Sequence, residues 1–117
     1  MADEKKVLGL LGLCGKAGRV ASGEFQCEEA IRSRHAHLVL LASDVSVNTG
    51  KKFTDKCHFY RIPCFRLSCS KAELGHCIGR EERACAAVTD PGLAASMRKY
   101  LEESSSSEQI RKVEEHD

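Results

Sequence analysis

The sequence predicts an α/β chain, folded as a three-layer α/β/α sandwich around a four-stranded mixed sheet. Three observations lead there. Short apolar runs alternate with segments whose apolar residues recur at helical spacing. The run Leu38-Val39-Leu40-Leu41-Ala42 is apolar without interruption, as in a strand covered on both faces. Two helix starts are spelled out, by Ser70-Lys71-Ala72-Glu73 and by Asp90-Pro91. A chain of 117 residues has room for one such domain, expected over residues 1–101.

The elements follow in order. Val7, Leu8, Leu11 and Cys14 form one stripe of a first helix over residues 4–17, stopped by Gly18. Arg19-Val20-Ala21 is a short strand, and Ser22-Gly23 opens a second helix reaching about Ser33, with Cys27, Ala30 and Ile31 inward. The apolar run at 38–42 is the second strand. A polar loop over 44–50 leads to a third helix, about Thr49–Tyr60, with Phe53, Cys57 and Tyr60 inward. Pro63 closes that stretch, and Cys64-Phe65-Arg66-Leu67 is the third strand. The Ser70–Glu73 capping box starts a short helix with Leu74, Cys77 and Ile78 inward. A charged turn, Gly79 to Arg83, precedes the fourth strand, Ala84 to Thr89. The last helix runs from Pro91 to about Leu101, and residues 102–117 read as a flexible acidic tail rich in Ser and Glu.

Composition narrows the function classes. Apolar residues make up 42% and charged residues 30%, which is globular composition. The formal charge of +1 conceals a division: six acidic and two basic residues fall from Glu102 onward, leaving residues 1–101 at +5. No apolar run approaches the roughly 20 residues of a membrane helix, and the start, Met1-Ala2-Asp3-Glu4-Lys5-Lys6-Val7, lacks signal-peptide character. A cytoplasmic protein without membrane association is expected. Its seven cysteines are then thiols, and their odd number argues against a disulfide framework.

Catalytic and metal motifs are missing from the sequence. There is no nucleophile elbow, HExxH pair or P-loop, and the glycines at 9, 12, 15 and 18 precede the first strand, where a dinucleotide fingerprint would follow it. Close helix packing and a helix stop account for them. No CxxC occurs, so metal ligation is not expected, and Cys14, Cys27, Cys57, Cys77 and Cys85 fall on apolar faces as small hydrophobes. Cys69, just before a helix cap, is the thiol expected to be exposed. The expectation is no enzyme, no cofactor and no metal.

The start of the second helix carries more information. With Cys27 at the centre of the apolar stripe, Phe25 lies roughly 160° away, beside Glu29. An aromatic ring opposite the core packs on a neighbouring loop or meets a base or a protein. A helix start also offers free N–H groups and a positive dipole end, which suit phosphate. Lys16 and Arg19 are close in sequence, and Arg80 and Arg83 sit in the turn before the fourth strand. Brought together, these would form a basic rim around an exposed helix start. Lys51, Lys52 and Lys56 form another basic face, read as solvated helix surface.

At these residues the chain resembles a known family. Leu10-Leu11-Gly12-Leu13, Lys16-Ala17-Gly18-Arg19-Val20 and Ser22-Gly23-Glu24 are similar to the bacterial YlxQ-type proteins. So are residues 38–44, Asn48-Thr49, Lys51-Lys52, Thr54-Asp55-Lys56-Cys57, Leu74-Gly75-His76-Cys77-Ile78-Gly79-Arg80 and Val88-Thr89-Asp90-Pro91-Gly92-Leu93-Ala94. These belong to the ribosomal-protein family of the archaeal large-subunit protein L-seven-Ae, and the similarity spans residues 5–101. It implies the same sandwich and a non-catalytic role with structured RNA, kink-turn or ribosomal, linked to ribosomes or translation. A monomer is expected.

The resemblance also implies a site. The family's helix-opening glycine falls on Gly23, beside Glu24. Its Asn-Glu pair, which reads sheared G·A pairs, falls on Phe25 and Gln26, and its lysine on Glu29. Gln26 keeps a donor and an acceptor, Phe25 can stack on a base, and Glu29 reverses a charge. The family's second contact, against the kinked strand, falls on Ile78, Gly79, Arg80 and Arg83, with Glu81 and Glu82 between. Lys16 and Arg19 would flank the surface. The alternative is a protein-interaction module on the same fold that has lost high-affinity RNA binding, with Phe25, Glu28 and Glu29 as a mixed patch. A thiol-redox protein is a third reading, resting on the cysteines alone.

Overall fold

Residues 2–104 and 111–112 are described by the structure, a computed structural model. The order is α1 (Ala2–Lys16), β1 (Val20–Ser22), α2 (Glu24–Arg32), β2 (Leu38–Leu41), α3 (Val47–Tyr60), β3 (Cys64–Arg66), α4 (Lys71–Cys77), β4 (Cys85–Val88), α5 (Pro91–Ser104) and β5 (Arg111–Lys112).

The helix ends follow local chemistry. Ser70 and Glu73 exchange hydrogen bonds, with Ser70 N donating to Glu73 Oε1 at 2.8 Å and Glu73 N to Ser70 Oγ at 3.1 Å. Asp90 Oδ1 accepts from Leu93 N at 2.9 Å, capping α5. α3 starts at Val47, two residues before the expected Thr49, because Ser46 Oγ accepts from Thr49 N and caps the helix there.

The sheet runs β1-β4-β2-β3-β5. β2 and β3 are parallel, pairing Val39 with Cys64 and Leu40 with Phe65. β4 is antiparallel to both β1 and β2, with Val88 opposite Val20 and Leu38. The four expected strands therefore form a mixed sheet. Helices α1, α4 and α5 cover one face with a core of Val7, Leu11, Leu40, Phe65, Leu74, Met97 and Leu101 among others. Helices α2 and α3 cover the other, around Ile31, Val39, Leu41, Phe53 and Cys57. Alternation along β2 sends Leu38 and Leu40 to one core and Val39 and Leu41 to the other, which explains the unbroken apolar run.

Two features depart from the sequence reading. Residues 102–104, placed in the flexible tail, prolong α5, and Arg111–Lys112 pair antiparallel with β3 as a fifth strand. β3 would otherwise be an edge strand with a row of unpaired backbone groups, and the C-terminal segment satisfies two positions of it. The rest of the acidic, serine-rich stretch lies outside the described residues. Cys69, expected to be exposed, is only 5% accessible. Its carbonyl accepts from Ser43 N at 2.8 Å, and its side chain joins the core of α1, α4 and α5. Burial and nearby Glu4 push its thiol up to about 12. Burial likewise raises Cys14, to about 11, and Cys77. A thiol shifted upward is a poor nucleophile at neutral pH.

Candidate nucleic-acid interface

The site forms where both helical layers meet one end of the sheet. β1 ends at Ser22, and Gly23 turns the chain into α2 with φ +87° and ψ 161°. A side chain there would be strained, so the glycine is required by the turn. Its amide donates to the Cys85 carbonyl at the start of β4, at 3.1 Å, and its carbonyl accepts from Cys27 N at 2.9 Å. No side chain caps α2. The amides of Glu24, Phe25 and Gln26 open the helix, where intrahelical acceptors are lacking. The positive end of α2 is thus presented outward.

Phe25 is 71% exposed. Facing away from Cys27, it has no place in either core, as the helical spacing predicts. Gln26 lies beside it, also exposed. Glu24 is held by α3: its carboxylate accepts from Lys52 Nζ at 2.9 Å and from Thr49 Oγ1 at 3.4 Å. The Lys52 hydrogen bond holds the Glu24 carboxyl below the usual carboxylate range. Lys52 also reaches Glu28 at 3.4 Å and is itself shifted upward, mainly by Glu24. Lys56 approaches Glu28 at 3.9 Å and Lys51 approaches Asp55 at 3.5 Å. The lysine face of α3 is therefore largely neutralised by local acids.

The second wall is the connection from α4 to β4. Gly79 adopts φ +74° at the end of α4. The chain then crosses back over the helix, and a Cβ on Gly75 would lie 1.8 Å from the Glu81 carbonyl oxygen. Only glycine at 75 lets the loop lie there. Arg83 returns to the α2 side, donating from Nε to Ser22 Oγ at 3.1 Å and from Nη1 to the Glu82 carbonyl at 3.0 Å.

Two clefts result, sharing Ser22, Gln26 and Arg83. One, of about 350 Å³, is lined by Gly15, Gly18, Val20, Ala21, Ile78 and Arg80 as well. The other, of about 430 Å³, adds Gly23, Glu24, Phe25, Lys71, Glu82 and Ala84. The arrangement can receive phosphate at the α2 start and stack a planar ring on Phe25. It can offer Gln26 to a base edge and place guanidinium groups along one side.

Of the residues singled out in the sequence, Gly23, Glu24, Phe25, Gln26, Ile78, Arg80 and Arg83 do converge on these clefts. Ile78 is 9% accessible and belongs mainly to the core, forming cleft floor rather than a projecting apolar contact. Gly79 shapes the turn. Lys16 and Arg19 are exposed but line neither cleft. Arg19 lies toward the Thr89 end of β1, its carbonyl accepting from Thr89 N at 2.9 Å, and its neighbours Gly18 and Val20 line the first cleft, so it stands at that cleft's margin. Glu29 sits one turn beyond Phe25 and pairs with Arg32 at 2.5 Å, outside both linings. Lys71 was missed. It is the first residue of α4, and its carbonyl accepts from Arg83 N at 3.0 Å. A lysine in the first turn of a helix opposes the dipole, and that anomaly was readable in the sequence.

Residues 5–98 match the model of the ribosomal protein L7Ae/L30e/S12e/Gadd45 family. The chain belongs to this family. An RNA-binding protein YlxQ of Bacillus subtilis (strain 168) is 46% identical over 93 residues, covering 80% of this chain and 92% of its own. The YlxQ protein of Enterococcus faecium, also an RNA-binding protein by name, is 36% identical over 100 residues, with 86% and 95% covered. Among solved structures, a Bacillus halodurans protein of unknown function superposes with a TM-score of 0.78 at 35% identity, covering 83% of this chain and 97% of its own. A 15.5 kD RNA-binding protein of Giardia lamblia superposes at 0.77 with 16% identity, covering 88% and 90%, which shows a shared fold. The L7Ae-family match spans every element from α1 through most of α5, and so includes both walls of the site.

Proposed function

We propose that the protein is a non-catalytic RNA-binding protein that grips a kinked or similarly folded RNA, such as a kink-turn, between the start of α2 and the α4–β4 connection. One observation carries this reading. An uncapped helix start, an exposed Phe25 and the guanidinium groups of Arg80 and Arg83 meet around adjoining clefts. Such a set suits a backbone turned sharply enough to expose a base face, where recognition is of shape and stacking rather than duplex sequence. The names of the two YlxQ relatives support RNA as the ligand class. Structured or ribosomal RNA in the cytoplasm is the proposed partner, bound by a monomer.

The departures at Phe25 and Glu29 refine the reading. Phe25 exchanges a hydrogen-bonding contact for stacking. Glu29 is partly balanced by Arg32 and stands back from the clefts, so its charge perturbs the site from its margin. Fluorescence anisotropy of a labelled kink-turn RNA tests the proposal, against the same RNA with its G·A pairs replaced and against a plain hairpin. Tighter binding of the intact kink-turn is expected. Equal weak binding of all three would reduce the site to a generic basic surface. No binding at low salt would favour a protein-interaction module.

A further inference from the structure

A second cleft system lies at the other end of the sheet. α2 is nine residues long, about 14 Å, and separates the two ends. The cleft occupies about 210 Å³ between Ile31, Arg34, Ala36 and His37 on one side and Tyr60, Arg61, Ile62 and Pro63 on the other. The register fixes its position: His37 N donates to the Val88 carbonyl at 2.8 Å and Val39 N to the Pro63 carbonyl at 2.9 Å. The α2 start, by contrast, adjoins Cys85 at the opposite end of β4.

Three features set this cleft apart. Arg34 and Arg61 are the described non-glycine residues with positive φ, at +66° and +59°. Each follows a helix, α2 or α3, in the left-handed conformation that glycine ordinarily supplies. The helix C-terminal dipoles attract guanidinium groups, so charge alone has an ordinary reason. The aromatic pair beside them does not. Phe59 is 76% exposed, braced edge-on against Tyr60 with ring centroids 5.0 Å apart at 78°. The Arg34 guanidinium lies over the Tyr60 ring at 5.3 Å. Finally, residues 30–43 and 56–63, which supply the cleft, contain no Asp or Glu, and of their cations Arg34 and Arg61 line it, while Arg32 and Lys56 pair with Glu29 and Glu28 of α2.

We propose that this end of the molecule is a second RNA contact, built for an unpaired single strand. Arg34 and Arg61 take the phosphates, and Phe59, steadied by Tyr60, offers its face to an unstacked base. A duplex has no free base face to give it, whereas a flexible strand has one at every nucleotide. The proposal rests on the reading above for its ligand class alone, since no residue is shared with the first site. The protein would then hold a folded RNA element at one end and a neighbouring strand at the other.

The experiment measures anisotropy of a labelled twelve-nucleotide oligouridine and, separately, of the kink-turn RNA, each across a salt series. The test protein is the double variant Arg34→Gly and Arg61→Gly, because glycine keeps the left-handed backbone while removing both guanidinium groups. It should bind the oligouridine at least about tenfold more weakly, with the salt slope reduced by about 1.4, or roughly 0.7 per lost phosphate contact. Its kink-turn affinity should be unchanged. Phe59→Leu should weaken oligouridine binding about fivefold or more at an unaltered salt slope, the signature of lost stacking. Equal binding of oligouridine by the wild type and the double variant would overturn the proposal. So would a polyglutamate probe that binds more tightly than oligouridine and is lost in the double variant, since that makes the surface one for acidic polypeptides. Should the first site fail, kink-turn and control RNAs would bind alike while the oligouridine response persisted.

Discussion

Phe25 and Glu29 share a face of α2 one turn apart, yet their substitutions should have opposite effects. Phe25 touches neither core, so Phe25→Ala should weaken kink-turn binding by about 1–3 kcal/mol, the worth of one stacked base, and leave the melting temperature within a degree or two. Thermal denaturation beside the binding assay checks both halves, and a large fall in melting temperature would show that the ring packs. Glu29→Lys exchanges a carboxylate at the margin of the proposed site for an ammonium and should raise RNA affinity several-fold at low salt, with the gain shrinking as salt rises. Titrations at three salt concentrations would show it. Unchanged affinity at all three would remove Glu29 from the neighbourhood of the RNA. Both positions were legible in the sequence because helical periodicity fixes what points away from a core. Lys71 showed only the local anomaly of a cation at a helix start; its place at the site comes through the backbone of Arg83, a contact between segments with no local pattern.

Two joints between elements position the site. The first is the crossing of the α4–β4 connection over Gly75. Gly75→Ala would drive a methyl group into the Glu81 carbonyl, so the loop must lift. A stability loss of about 1–3 kcal/mol, typical of overpacking, is expected together with weakened RNA binding. Urea denaturation and anisotropy on the same protein would measure both. The second joint ties α2 to α3 through Glu24 and Lys52. Because the folded-state pKa of Glu24 is depressed, its contribution is complete above the unfolded value of about 4.3 and fades as pH falls through the folded value. Lys52→Gln should flatten melting temperature against pH in that acidic window and change little at pH 7, where an exposed pair contributes weakly. At this scale the sequence was informative wherever one residue acts on its own neighbours, as in the Ser70–Glu73 box and the Asp90 cap. It was uninformative where distant segments decide the outcome. Cys69 is buried because its linker is held by Ser43, and Arg111–Lys112 become a strand because β3 leaves an edge to pair with.

The two cores share one sheet, with β2 feeding alternate side chains to each. Loss of either helical layer would bare half of every strand, so the protein should unfold as a single unit. Phe53→Ala on the α2–α3 side and Phe65→Ala on the other should each cost about 3–5 kcal/mol. Circular dichroism and tyrosine fluorescence, followed in parallel for both variants, should report one coincident transition. Separate transitions would mean that the layers unfold independently. The sandwich was readable from the alternation of elements, because strands of three or four residues, too short to stand alone, leave few other ways to bury an apolar run like 38–42. Strand order was not readable, since the sequence does not encode which strands lie side by side.

The crossing at Gly75 has a kinetic side. A loop seated against α4 by the core occupies its place before any ligand arrives, so little ordering remains for the moment of encounter. Association would be governed by how often the partners collide in the right orientation and by the charges that guide them, and the duration of the complex by the contacts made afterwards. Substitutions among those contacts would then be felt as shorter residence on the RNA, with the rate of capture nearly constant.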